Sequence, residues 1–370
     1  MPEQCASLPA VDFSSALYPG SYKNYPTWEI ALKISFVVLV EIVAIVGNIL
    51  LILIVMGSKK MRTTTNYYIV NLAISDLLVA LFPIWMHLVD DVTEGWVVGG
   101  FLCKFNPFMQ ITVMCASVFT LMALAGDRFF AIMFPLKSRV TQRKVSYIIV
   151  FVWIWSLAVG APVLFVYAYS ERQWKNFLER FCTDIWPQSV MSDGECDRGL
   201  TSKRAYWTLV IVVLNWVPMV MMMISYTVIK MLFAILLIFV VCTIPFQISK
   251  LFELYRNDHV NKERLPDWYN PFYFAAVTLL YTNSALNPII YGGLNENFRT
   301  AFKNMINRRN SSRNDSHYSL RNGITRPSII NNSLYDNGSR RDSKLQFLND
   351  IHKESQETAQ NGYLNEAASL

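Results

Sequence analysis

The residues best placed to do chemistry in this sequence are polar and charged groups set inside long apolar runs. Asp76 lies within Leu72-Ala-Ile-Ser-Asp76-Leu-Leu-Val-Ala-Leu, Asp127 and Arg128 end a run that begins at Cys103, and Glu41 interrupts another. Such groups are suited to ion pairing, hydrogen-bond exchange and cation binding, because an isolated charge is costly away from water. Catalytic arrangements are missing from the sequence. It has no Cys/His cluster with zinc spacing, no phosphate-cradling glycine loop and no G-x-S-x-G elbow. No catalytic residue and no resident cofactor are therefore assigned.

The elements that carry these groups follow from composition. Apolar residues make up 53% of the 370 positions and charged residues only 16%, against about 25% charge in an ordinary soluble domain. A helix needs about 20 apolar residues to cross the hydrocarbon core. Stretches of that kind cover 34–57, 66–89, 103–132, 145–168, 205–229, 231–254 and 269–291. A large soluble helical protein would show amphipathic stripes instead of these repeated runs. The reading is an all-α membrane protein, a bundle of seven spanning helices. The first 33 residues hold no apolar stretch long enough for a cleaved signal peptide, so the first helix is expected to be its own insertion signal.

Direction follows from the loops. Lys59, Lys60 and Arg62 lie in the first connection and Lys137, Arg139, Arg143 and Lys144 in the third, whereas the second carries Asp90, Asp91 and Glu94. Basic loops stay cytoplasmic, which puts the N-terminus outside and the tail inside, in a multi-pass protein of the plasma membrane. The same bias accounts for the net charge of +6 without invoking nucleic acid. Three parts result: an extracellular N-terminus (1–33), a helical domain (34–305) and a cytoplasmic tail (306–370). The tail lacks a packable apolar pattern and is expected to be disordered. Its Arg308-Arg309-Asn310-Ser311 and Arg340-Arg341-Asp342-Ser343 are suited to basophilic kinases. Cys115 and Cys242 fall within spans and read as inert core thiols. Cys5, Cys103, Cys182 and Cys196 lie outside, where disulfides persist, and permit three pairings. Cys103 and Arg128 stand 25 residues apart, or roughly 37 Å of helix, one at each membrane surface.

Taken helix by helix, the polar residues resemble those of rhodopsin-like (class A) G-protein-coupled receptors. The sequence has Gly47-Asn48, Asn71-Leu-Ala-Ile-Ser-Asp76, Asp127-Arg128-Phe129 (most relatives have Tyr third), Trp153 with Pro162, and Pro218 with Tyr226. It continues with Phe239-Val-Val-Cys242-Thr243-Ile-Pro245 and Asn287-Pro288-Ile-Ile-Tyr291, then Asn297-Phe298-Arg299, which opens a short amphipathic eighth helix. The resemblance implies a role in activation and G-protein coupling for Asp127, Arg128, Tyr226, Phe239, Pro245, Asn287, Pro288 and Tyr291. It also selects the Cys103–Cys182 disulfide and leaves Cys5 and Cys196 as either a second pair or two free thiols. An allosteric sodium ion is implied at Asp76 and Ser117 with Asn283 and Ser284. Glu41, on the Asn48 face, reads as a bundle-facing, hydrogen-bonded acid.

The ligand expected is an extracellular peptide. Gln110 occupies the position where aminergic receptors place an aspartate, and Tyr281 the position of the opsin lysine. Phe181-Cys182-Thr183-Asp184-Ile185-Trp186-Pro187 is similar to an outer-loop stretch of neuropeptide receptors. The pattern is similar to receptors for neuropeptide FF, neuropeptide Y, orexin and tachykinins, which commonly recognise amidated C-termini. Gln110 would hydrogen-bond such an amide with His87 nearby, and Asp90, Asp91, Asp184 and Glu253 would pair an arginine of the ligand. Other readings stand beside this one: a non-signalling splice form or decoy, a receptor for a lipid or small molecule, and a transporter. The last calls for broken helices or repeated halves, which the sequence lacks.

Two departures from the family pattern matter. Thr243 stands where relatives have Trp. Only twelve residues separate Tyr226 from Phe239, and Ile229 runs into Lys230-Met231-Leu232-Phe233 with no turn-forming residue. The third cytoplasmic loop reads as missing, as a skipped exon or a faulty gene model would leave it. That puts the heterotrimeric G protein in doubt as a partner for this chain.

Overall fold

The computed structural model describes residues 12–18, 25–134, 141–190, 196–197, 199–216, 218, 220, 230–256, 266 and 268–307. Tyr226, Ile229, Cys5 and the tail beyond residue 307 lie outside them, so the expectations for the missing loop, the second cysteine pair and tail disorder fall there too. The chain divides into two compact units, Met1–Met305 and Ile306–Leu370.

Long apolar sequences become long helices because every backbone N–H and C=O is then satisfied within the segment. They are α1 (Thr27–Gly57), α2 (Thr64–Val92), α3 (Gly99–Met133), α4 (Gln142–Val166), α5 (Leu200–Ile211, continuing as a wider π turn to Trp216), α6 (Lys230–Tyr255) and α7 (Tyr269–Leu294). Residues 296–307 form an eighth helix. Among the described residues, five helices (α1 to α4, and α6 from Leu237) are apolar and long enough to cross a membrane on their own account. At 26 residues α7 has the length, with a more polar content that includes Thr278, Thr282, Asn283, Ser284 and Asn287. Large apolar side chains on α4, Phe151, Ile154, Trp155 and Phe165 among them, face outward, as a lipid-facing helix requires.

Two features differ from the expected spans. The first helix starts at Thr27, because Glu29 and Lys33 pair one turn apart (3.2 Å) and extend it beyond the apolar run. After Val166 the chain leaves the helix for an antiparallel hairpin, β1 (Tyr167–Gln173) with β2 (Leu178–Asp184), registered Tyr167 to Asp184 and Tyr169 to Cys182. The N-terminal segment lies on this hairpin: Phe13 and Tyr18 pack against Trp174 (4.7 and 5.7 Å between ring centroids), and Lys175 donates to the Ala16 carbonyl.

Small residues set the close approaches. A Cβ on Gly47 would sit 2.8 Å from the Pro288 ring, and one on Gly160 would sit 2.6 Å from Thr112 Oγ1. These glycines let α1 meet α7 and α4 meet α3. The inner core joins Leu51, Tyr68, Leu72, Leu124, Phe239 and Tyr291.

Candidate functional site

At mid-bundle, Asp76 is almost fully buried and its Oδ2 accepts from Asn287 Nδ2 at 2.8 Å. Among the described residues its Oδ1 is buried without a hydrogen-bond partner. Ser117 and Ser284 are buried, Asn283 is partly so, and the Ser284 carbonyl accepts from Asn48 Nδ2 at 3.1 Å. An unsatisfied buried carboxylate oxygen is expensive and suits a small hard cation, so these residues fit the sodium ion that the resemblance implies. Next to this centre, Asn71 donates to Thr120 Oγ1 (2.7 Å) and accepts from Trp153 Nε1 (2.9 Å), tying α2, α3 and α4 together. Glu41 corrects its expectation. It is half-exposed on α1 and makes no hydrogen bond among the described residues, because that stretch of α1 turns many of its side chains outward.

At the inner surface, Arg128 Nη2 lies 3.4 Å from Asp127 Oδ2, while among the described residues Arg128 Nε is buried without a partner. A cavity of about 680 Å³ opens beside Arg128, lined by Lys60, Thr63 and Asn66 on one side and by Asn295, Asn297 and Asn304 on the other. Phe239 is buried, Pro245 lies inside α6 and Pro288 inside α7, and Tyr291 is 1% exposed with its hydroxyl unpaired among the described residues.

At the outer end, Cys103 and Cys182 form a disulfide with 5.6 Å between their Cα atoms, joining β2 to the start of α3. The hairpin borders a cavity of about 900 Å³ lined by His87, Asp90, Asp91, Glu179, Phe181, Lys250, Glu253 and Tyr273, with Tyr18 and Tyr25 at its edge. Outside the spanning segments, burial pushes the phenol of Tyr167 up, and the hydrogen bond to Glu171 does the same for Tyr169.

The expected ligand residues do not form one cluster. His87 lines the outer cavity and stacks on Phe274 (5.3 Å), with Tyr281 edge-on at 6.0 Å. Gln110 instead lines a small deep cavity of about 30 Å³ with Trp207, Leu214, Thr243, Phe246, Gln247 and Lys250. Asp184 faces a third, smaller space beside Lys203. The expectation that the acids wait for a ligand arginine also needs correction. Asp91 accepts from Lys33 at 2.9 Å, Asp184 from Lys203 at 3.0 Å, and Glu253 from Lys250 at 2.9 Å with Lys203 3.5 Å away. Carboxylates this sheltered need a partner, and the chain supplies lysines.

Those lysines were overlooked in the sequence. The signal was present: Lys250 interrupts the apolar part of α6, and Glu253 follows at the helical spacing of three.

The comparisons agree with this geometry. The family model of the 7 transmembrane receptor (rhodopsin family) matches residues 47–230 and 227–291, two segments that meet at 227–230. The chain belongs to that family, and is a multi-pass membrane receptor of a signalling class. It is similar to the tachykinin-like peptides receptor 86C of Drosophila melanogaster (30% identity over 331 residues, 80% of this chain and 63% of that receptor). It is also similar to neuropeptide FF receptor 2 of Mus musculus (30% over 325 residues, 77% and 75%) and to the QRFP-like peptide receptor of Branchiostoma floridae (28% over 333 residues, 81% of each). The chain thus spans less than two thirds of the Drosophila receptor.

Proposed function

We propose that this protein is a receptor for an extracellular neuropeptide, held with its N-terminus outside the cell. The observation that carries this reading is the outer cavity, bordered by a disulfide-anchored hairpin and open enough for the end of a peptide chain. The relatives' names supply the ligand class. The direct test is a screen of neuropeptides, tachykinin-like and neuropeptide FF included, for binding to cells expressing the chain. Saturable, displaceable binding supports the reading. Saturable binding of lipids alone would replace it with the small-molecule alternative.

Within that reading, Gln110 in the deep cavity meets a C-terminal amide. Replacing the amide of a bound peptide with a free acid is expected to weaken binding at least tenfold (about 1.4 kcal/mol), and Gln110→Ala removes most of that discrimination. Equal binding of both forms by the wild type would refute the role of Gln110.

Asp76, with Ser117, Asn283 and Ser284, is proposed to hold sodium, which neutralises the buried carboxylate and favours the resting state. Millimolar sodium should raise the unfolding temperature of the unliganded receptor and lower agonist affinity, as linkage requires. Asp76→Asn should abolish both effects. Sodium sensitivity that survives the substitution places the ion elsewhere.

The same reading makes Asp127–Arg128 the resting-state pair and the tail serines substrates for kinases that recruit arrestin. Coupling to a heterotrimeric G protein depends on the missing loop.

A further inference from the structure

The charges of the outer site are unevenly placed. Acids gather at the mouth: Asp90, Asp91, Glu94, Glu179 and Glu253 all line the outer cavity. In the deep cavity the lining holds no acid, and its single charged side chain is Lys250, with Gln110 and Gln247 on the wall. Lys250 lines both spaces, so it stands at the passage from one to the other.

Its ammonium carries three donors. Its hydrogen bond among the described residues goes to Glu253 Oε2 at 2.9 Å. The remaining contacts are aromatic faces, with Nζ 5.2 Å from the Tyr273 ring centroid and 5.6 Å from that of Trp207. Glu253 is itself shared with Lys203, which also holds Asp184. The row Asp184–Lys203–Glu253–Lys250 therefore alternates in sign, and its cationic end is the one turned toward the deep cavity. The acids at Lys33, Lys203 and Lys250 are already paired, so an arginine of the ligand gains little from them. An anion at Lys250 meets unspent ammonium donors in a site sheltered from water, where a charge-assisted bond is strongest.

We propose that Lys250 is a specificity-determining residue that binds a carboxylate of the ligand at the passage to the deep cavity. The carboxylate is the side chain of an acidic residue near the buried, amidated end of the peptide. This inference rests on the peptide reading above and is separable from it.

The test uses the purified full-length receptor and two positional-scanning libraries of heptapeptides, one amidated and one with free C-termini, read by thermal unfolding. Amidated pools with Asp or Glu fixed at one position should stabilise the wild type by about 3 °C more than matched Asn or Gln pools, as a tenfold affinity difference would. A free-acid library that gains the advantage at every fixed residue would overturn both this assignment and that of the amide to Gln110. Lys250→Gln should erase the preference for acid, Lys250→Arg should keep it, and Lys250→Glu should move it to Arg and Lys pools. Pools that bind wild type without any acid preference, or an acid preference retained in Lys250→Gln, overturn the role of Lys250 and leave the peptide reading standing. If no pool of any charge stabilises the wild type, the peptide reading fails and this inference fails with it.

Discussion

Agonist added to membranes that hold this chain as their only receptor is expected to leave nucleotide exchange on heterotrimeric G proteins at its basal rate, and a relative's third cytoplasmic loop inserted after Ile229 is expected to restore it. Activation in this family, as the resemblance implies, swings the inner end of the sixth helix outward about Pro245 and opens a space beside Arg128. Here α6 is already helical at Lys230, and only nine residues, 221–229, separate it from the last described helical residue of the fifth segment. Nine residues span about 13 Å as helix, which leaves little chain for both a membrane crossing and a turn. The two segments of the family match meet at 227–230, the same place. A connection this short in sequence would tether the end that must move and would lack the basic loop residues a G protein meets. The inner cavity beside Arg128 has room, about 680 Å³, and is lined by residues of the first connection and the eighth helix. Agonist-stimulated exchange by the unmodified chain would therefore show that those surfaces suffice, and would overturn the prediction. Ligand binding serves as the control, since the outer cavity lies at the far end of the bundle.

Cys103→Ser or Cys182→Ser should abolish ligand binding and cut surface delivery to similar degrees, with the double mutant no worse than either single. The bond closes a loop with a sequence separation of 79 residues, and removing such a constraint costs about 4–5 kcal/mol in the chain-entropy account. It also has a local consequence. It anchors β2, and with it the hairpin that borders the outer cavity and carries Glu179 and Phe181 into its lining. The two thiols act through one bond, so their effects cannot add. Binding assays and surface labelling on the three variants close the cycle, and strictly additive losses would mean that each cysteine acts alone.

The membrane-crossing helices were legible because the cost of taking polar backbone and charge into lipid is written locally, residue by residue, as length and apolarity. Asp76, Asn287 and the Asp127–Arg128 pair also announced themselves, since a polar group inside an apolar run must have a partner or a function. The hairpin was not legible. Tyr167–Gln173 and Leu178–Asp184 carry no clean alternation of apolar and polar residues, and their pairing is held by a disulfide to a distant helix and by Phe13 and Tyr18 from the N-terminus. Nor was the state of the outer acids. Asp91 and Lys33 are 58 residues apart, and Asp184 and Lys203 are 19. No local pattern says which lysine a carboxylate will meet. By itself the sequence determined a seven-helix receptor and its buried polar centre. Only the tertiary structure decided that Gln110 and His87 face different cavities, that Asp91, Asp184 and Glu253 are already paired with lysines, and that Lys250 stands between the two spaces, because helix packing brings these groups together across distances the chain order does not encode.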